Sequence, residues 1–256
     1  MGSKNAKILT YDIETSAHIG LYFGASYDTN ISKTIQHNYV LGFAYKWLGQ
    51  KKTYSCYIWD FPLYKKEPRN DIEVIKKWRE LMEQADIVIG HNSDQFDNKV
   101  MTGRMMVHKL PPVPLPQSVD TKKAIKRVAR FDSNKLDDLG ETFGIGRKIS
   151  TNIDLWWGCM TGNQKSQKQM VKYNIQDVVL TEKLYLYELP YMTSHPNRAN
   201  IENRPDACPR CGAQEGFWSQ GWRLTKTGRY RRFQCIACGS YVSNRVQEKG
   251  DRPDYV

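Results

Sequence analysis

Five side chains in three short motifs carry the chemistry that this sequence makes available: Tyr11-Asp12-Ile13-Glu14-Thr15, Asn92-Ser93-Asp94-Gln95-Phe96-Asp97 and Tyr173-Asn174-Ile175-Gln176-Asp177. Asp12 and Glu14 are two apart in an apolar run that reads as a strand, so both carboxylates point to one face. Such a pair is costly in an apolar strand unless a cation sits beside it. Asp97 follows a second apolar run, Ile87-Val88-Ile89-Gly90, and Asp177 falls in a long helical pattern. Tyr173 is four residues before Asp177, hence on the same helical face. Hard oxygen ligands of this kind suit Mg²⁺ or Mn²⁺. The chemistry they predict is metal-assisted hydrolysis of a phosphodiester.

Folding must bring these motifs together. The run from Lys7 to Tyr11 reads as a buried strand. Residues 39–47 and 53–59 are rich in aromatic and β-branched types, and the turn Leu48-Gly49-Gln50-Lys51 makes them a hairpin. Residues 71–85 place Ile72, Ile75, Trp78, Leu81 and Met82 at helical spacing behind Asp71 as N-cap. Residues 96–110 read as a helix stopped by Pro111, Pro112, Pro114 and Pro116. A short strand near 118–120, helices over 121–129 and 136–143, and a long helix over 164–189 complete the pattern. The expected fold class is α/β: a mixed sheet flanked by helices.

The 256 residues are 40% hydrophobic and 12% aromatic, enough for a sizeable core. Lys and Arg number 38 against 27 Asp and Glu, a net charge of +11 that favours a polyanionic partner. No apolar run is long enough to span a membrane, and the polar start lacks a signal-peptide core. A cytoplasmic protein without membrane contact is expected. Met1-Gly2-Ser3 reads as partly foreign to the natural chain.

The three acidic motifs, taken in order, resemble the DEDD superfamily of 3′–5′ exonucleases, which have a ribonuclease-H-like fold. The resemblance covers residues 7–190. It is to the tyrosine branch (DEDDy), because Lys172 stands where the other branch has histidine. Ser133-Asn134-Lys135-Leu136-Asp137-Asp138-Leu139 and Gly144-Ile145-Gly146-Arg147-Lys148 are similar to segments of family-B DNA polymerase proofreading domains. They are closer still to stand-alone exonuclease-like proteins, some of them phage-encoded.

The resemblance implies two catalytic Mg²⁺ or Mn²⁺ ions and nucleic acid as substrate, DNA favoured and RNA open, cut at single-stranded 3′ ends. It implies that Asp12 bridges the ions, Glu14 and Asp177 complete the first site, and Asp97 supports the second through water. Tyr173 would position the attacking water with Glu14, and the products would be nucleoside 5′-monophosphates. A monomer in a bacterial or phage-infected cell is expected, with replication or recombination proteins as possible partners. Asn92 and Phe96 are candidate strand contacts, although a loop brace and a core position are the simpler readings. Asp94 and Asp120 are candidates to support the metal ligands from behind, with solvated acids the simpler reading; His18 and His91 flank the motifs and could touch phosphate, with ordinary histidines the simpler reading.

The character of the chain changes after Leu189. Residues 193–205 are proline-rich and polar and read as a linker between a catalytic domain (1–192) and a small C-terminal domain (206–256). Cys208-Pro209-Arg210-Cys211-Gly212 and Cys235-Ile236-Ala237-Cys238-Gly239 are two knuckles with four thiolates. They predict one closed, structural Zn²⁺ site in a zinc ribbon. A glycine after each pair allows the tight turn. Trp222, Arg223, Lys226, Arg229, Tyr230, Arg231 and Arg232 lie between the knuckles. Cations for phosphate and rings for bases describe a nucleic-acid-binding surface; some of the rings must instead fill the small core, and a ribbon that docks a protein is the competitor. Cys56 and Cys159 read as buried thiols. Two other functions stay open for the whole chain: a structure-selective endonuclease on branched or duplex DNA, and a non-catalytic nucleic-acid-binding module.

Overall fold

The computed structural model describes residues 5–23, 31–226 and 228–244. Met1–Ser3 and residues 245–256 of the expected ribbon lie outside them. In chain order the elements are β1 (Ile8–Thr15), β2 (Ile19–Leu21), β3 (Lys33–Gln36), β4 (Val40–Trp47), β5 (Tyr54–Tyr57), α1 (Ile72–Gln84), β6 (Ile87–Gly90), α2 (Asp97–Val107), β7 (Gln117–Asp120), α3 (Thr121–Val128), α4 (Leu136–Thr142), α5 (Ile153–Met160), α6 (Gln164–Glu188), α7 (Arg198–Ile201), β8 (Phe217–Leu224), β9 (Arg229–Cys235) and β10 (Tyr241–Ser243).

The main sheet has the order β5-β4-β1-β6-β7. β1 is central, antiparallel to β4 and parallel to β6, and β6 is parallel to β7. A strand flanked on both sides needs apolar residues on both faces, and Leu9, Tyr11 and Ile13 supply one of them. The Tyr11 ring meets Trp78 of α1 at 6.5 Å, and its hydroxyl bonds Asn98 of α2. Thr10, Asp12 and Glu14 alternate to the other face, which α6 crosses. The mixed sheet flanked by helices expected from the sequence is therefore present.

Where Glu14 pairs with Gly42, a side chain on that glycine would strike the Tyr57 ring at 2.3 Å and the Cys56 carbonyl at 2.5 Å. Only glycine leaves room there for the Tyr57 ring. Cys56 and Cys159 are buried thiols, as expected.

Several boundaries differ from the sequence reading. The helix expected over 96–110 starts at Asp97 and stops at Val107, since Lys109 turns left-handed (φ 54°) before the prolines. The β2–β3 hairpin and α5 have no counterpart in the reading. The stretch 193–205 carries α7 and is packed. Its Glu202 is fully buried and accepts from Ala6 N at 3.2 Å, from Arg198 Nη2 at 2.8 Å and from Arg204 Nη1 at 3.4 Å.

One buried acid serves no evident chemistry. Glu188 at the end of α6 is 1% exposed, and neither carboxyl oxygen has a hydrogen-bond partner among the described residues. Burial, helped by the charge of Asp120, pushes its pKa up to about 8. The folded state thus holds this proton more tightly than the unfolded chain, so the group's contribution to stability falls as pH rises from about 4.5 to about 8. Glu188→Gln removes that loss. At pH 9 its melting temperature should exceed wild type by about 3 °C or more, equivalent to roughly 1 kcal/mol at this size, whereas near pH 5 the two should melt together. Equal melting at both pH values would show that Glu188 finds a partner.

Candidate metal and nuclease site

The carboxylates converge where β1, α2 and α6 meet. One oxygen each from Asp12, Glu14 and Asp177 lies within 4.8 Å of the others. The strand alternation of β1 supplies the first two, and the facing turn of α6 supplies the third. Asp97, the first residue of α2, stands beside this group and accepts from Ile13 N at 3.1 Å, which ties the helix start to β1. Tyr173 lies one turn before Asp177, its ring 5.9 Å from Trp156 of α5 in an edge-on arrangement. Trp156 also favours the charged form of Glu14, against the effect of burial.

These acids are held in an environment that opposes their charge. Burial raises the pKa of Asp12 well above the carboxylate range, and the charges of Asp97, Glu14 and Asp177 add to the rise. Burial and then Asp177 push Glu14 up to about 8. Burial raises Asp97 to about 7 against the opposing Ile13 N–H. A fold that gathers four acids under such a penalty calls for positive charge. Asp177 Oδ1 is buried with no hydrogen-bond partner among the described residues. That orphaned oxygen and the all-oxygen donor set fit a hard divalent cation.

Part of the missing charge comes from Lys148, which lies in the segment similar to polymerase proofreading domains and has no role predicted from its sequence. Its Nζ is 2.6 Å from Asp177 Oδ2 and 5.0 Å from the centre of the Tyr173 ring. Burial opposes its charge, but Asp177 and Tyr173 outweigh that and raise its pKa above the ordinary lysine value. A cation that binds Asp177 must compete with this ammonium. Lys148→Met should therefore bind Mn²⁺ about ten-fold more tightly in a calorimetric titration, and should melt lower in EDTA. Unchanged affinity would place the cation away from Asp177.

Two further residues position the site and escaped the sequence reading. Asn174 is fully buried on α6 and donates Nδ2 to Asp12 Oδ2 at 2.6 Å and to the Asp12 carbonyl at 3.1 Å. The Tyr57 hydroxyl donates to Asn174 Oδ1 at 3.0 Å. This chain runs from the Tyr57 ring beside Gly42 to Asp12 and holds its carboxylate in place.

Asp120 is not a solvated acid. It is buried and accepts from Asn92 N at 3.0 Å, Asp94 N at 3.2 Å and Lys123 N at 3.1 Å. It caps α3 and braces the loop that delivers Asp97. Asp94 is also engaged, by Ser118 Oγ at 2.6 Å and Lys123 Nζ at 3.3 Å. Asn92 has the left-handed φ of 69° that asparagine tolerates, and its backbone acts as a brace. Phe96 is not core, being 43% exposed beside Asp97. His91 is held by Thr121 Oγ1 at 2.8 Å and the Asn134 carbonyl at 2.9 Å, and burial lowers its pKa to about 4. It is a neutral structural histidine.

A second cluster closes the C-terminal module. The Sγ atoms of Cys208 and Cys238 are 3.8 Å apart, and those of Cys211 and Cys235 are 3.7 Å apart. A disulfide needs about 2.05 Å. Four sulfurs at about 2.3 Å around one tetrahedral ion would be about 3.8 Å apart. The spacing fits a four-thiolate metal site. Gly212 and Gly239 have φ of 76° and 74°, as the knuckle turns require.

Comparison with known proteins bears on the main sheet. The RNase_H_2 family model, of the RNase_H superfamily, matches residues 10–187, more than half of the chain. The chain belongs to the RNase H superfamily. Membership implies a nuclease or related phosphodiester hydrolase that uses divalent metal. Among solved structures the fold is similar to the family B DNA polymerase from the hyperthermophilic archaeon Pyrobaculum calidifontis, with a TM-score of 0.55 and 16% identity over 90% of this chain. The chain spans about a third (32%) of that polymerase. No curated protein matches. No helix among the described residues is long and apolar enough to cross a membrane.

Proposed function

We propose that this chain is a metal-dependent 3′–5′ exonuclease acting on single-stranded ends, DNA favoured, with a zinc ribbon that adds nucleic-acid contacts. The observation that carries the reading is the grouping of Asp12, Glu14 and Asp177 within 4.8 Å, with one buried oxygen of Asp177 left without a partner. The 3′–5′ polarity rests on the order of the acidic motifs and on Tyr173. Asp12, Glu14 and Asp177 would hold one Mg²⁺ or Mn²⁺, and Asp12 with Asp97 a second. Such ions supply an acidified water and charge neutralisation at the leaving oxygen.

The protein's own groups do the rest. Asn174 keeps Asp12 in place. Tyr173 and Glu14 orient the attacking water toward phosphorus. The bond from phosphorus to the 3′ oxygen breaks, leaving a new 3′-hydroxyl and a nucleoside 5′-monophosphate. Lys148, with its Nζ 2.6 Å from Asp177, would also offer its charge to phosphate oxygens. Exposed Phe96 and the Asn92 loop would meet the terminal nucleotides.

The four cysteines would hold one Zn²⁺ in a structural role, since four thiolates leave no open position. Residues 1–192 would form the catalytic domain, 193–205 a packed connection and 206–256 the ribbon. Trp222, Arg223, Lys226, Arg229, Tyr230, Arg231 and Arg232 would give the ribbon its nucleic-acid surface.

Product analysis tests this reading. A strand labelled at its 3′ end should release labelled mononucleotide as the first product, identified chromatographically as the 5′-monophosphate. Labelled oligonucleotides released first would mean endonuclease cleavage.

A further inference from the structure

The ribbon hangs from the end of the molecule opposite the carboxylates. Its knuckles pack on Ile8 and Ile87, the first residues of β1 and β6, and on Tyr185 and Leu189 near the end of α6. Ser240 Oγ donates to the Leu189 carbonyl at 3.3 Å, and Gly239 lies against Pro190. Asp12 and Glu14 lie further along β1, and Asp177 lies twelve residues before Leu189 on α6. At 1.5 Å per residue that is about 18 Å of helix. The packing makes this separation a fixed distance rather than the reach of a flexible tether.

The outer hairpin of the ribbon offers what an unpaired strand needs. Arg223, Lys226, Arg229 and Arg232 are exposed. The Trp222 ring is flanked by the guanidiniums of Arg229 and Arg231 at 4.5 and 4.4 Å, so it orients cations instead of presenting a free face to a base. Trp218 and Tyr241 are the open rings, 61% and 55% exposed, and Arg232 lies 5.6 Å above Tyr241. Guanidiniums meet phosphates, and open rings stack on bases that a duplex would hide.

We propose that the ribbon holds a single-stranded part of the substrate remote from the 3′ end being cut, so that cleavage has a length threshold. The proposal rests on the exonuclease reading. The 18 Å runs only to the knuckles and equals about five nucleotides at the 3.4 Å spacing of stacked bases; Arg223 and Lys226 lie at the end of the β8–β9 hairpin remote from Cys235, so five nucleotides is the lower bound of the threshold. A shorter strand occupies the acidic site alone. A longer strand occupies both sites, and the second contact is then intramolecular. The 3′ end is held near the acids after each cut until the strand becomes too short to reach the ribbon.

The test uses the full chain with Mn²⁺ and 5′-labelled oligothymidylates of increasing length. kcat/KM should stay flat up to about four nucleotides, rise about ten-fold or more between roughly five and twelve, and then level off. The salt dependence should be steeper above the step than below it. In Arg223→Glu/Lys226→Glu the ratio of kcat/KM on a 20-mer to that on a trimer should fall toward one. A rate independent of length overturns the proposal. So does a step that survives the charge reversal, which would leave the ribbon surface to a protein partner. Binding of the 20-mer, followed by anisotropy in EDTA, keeps the two readings apart. If no length is cleaved but the double variant weakens binding, the exonuclease reading fails and the ribbon contact stands.

Discussion

Asp12→Ala should lower the cleavage rate by about a thousand-fold or more, the equivalent of several kcal/mol of transition-state stabilisation supplied by metal. The fold should survive. Asn174 keeps its bond to the Asp12 carbonyl, and the buried repulsion among Asp12, Glu14, Asp97 and Asp177 is relieved. The same repulsion gives a pH signature in metal-free wild type. Glu14 and Asp97, with pKa values pushed up to about 8 and about 7, hold protons in the folded state that the unfolded chain gives up near pH 4. Metal-free stability should therefore fall between about pH 5 and pH 8. Near pH 8, Mn²⁺ should raise the melting temperature of wild type through linkage, but that of Asp12→Ala much less. Near-wild-type cleavage in the variant would end the assignment of a metal to these acids.

The second large effect is expected at the opposite end of the sheet. Cys208→Ser should reduce bound zinc from one ion per chain to a small fraction of that, measured by elemental analysis. The melting temperature should fall by more than about 5 °C, because metal affinity in such sites is folding free energy. The loss should spread beyond the ribbon, since the knuckles cover Ile8, Ile87 and Tyr185 of the main core. For the same reason, cutting the chain near residue 195 would expose that core and is no clean way to test the ribbon. A wild-type protein that carries no zinc yet keeps its ribbon folded would contradict the assignment.

The parts of this architecture that were legible in the sequence are those with long-range periodicity or unusual composition. Asp12 and Glu14 stand out because carboxylates are rare in an apolar strand, and Tyr173 and Asp177 because a helix of 25 residues shows its faces clearly. The four cysteines are legible from spacing alone. α5 was not legible: eight residues are too few to show a period, although Asn152 caps it by accepting from Asp154 N at 3.2 Å. With it went Trp156, whose ring meets Tyr173 edge-on at 5.9 Å. Lys148 carries no sequence signal, because nothing local in Gly146-Arg147-Lys148 says that its ammonium reaches Asp177. Asp120 was misread because a capping aspartate and a solvated one look alike until the loop from Asn92 to Asp97 is seen to hang from it. Prolines and polar residues read as a linker over 193–205, whereas Glu202 with Arg198 and Arg204 makes a buried charge network there, and such pairing is settled in three dimensions. The position of the ribbon, on which its role depends, has no trace in the sequence.

The most direct measurement follows a 5′-labelled single strand, as DNA and as RNA, incubated with the protein and Mg²⁺ or Mn²⁺, beside an EDTA control and Asp12→Ala. The account predicts a ladder that shortens from the 3′ end, requires metal and is absent in the variant. Discrete internal fragments, or a strand left intact with metal present, would contradict it.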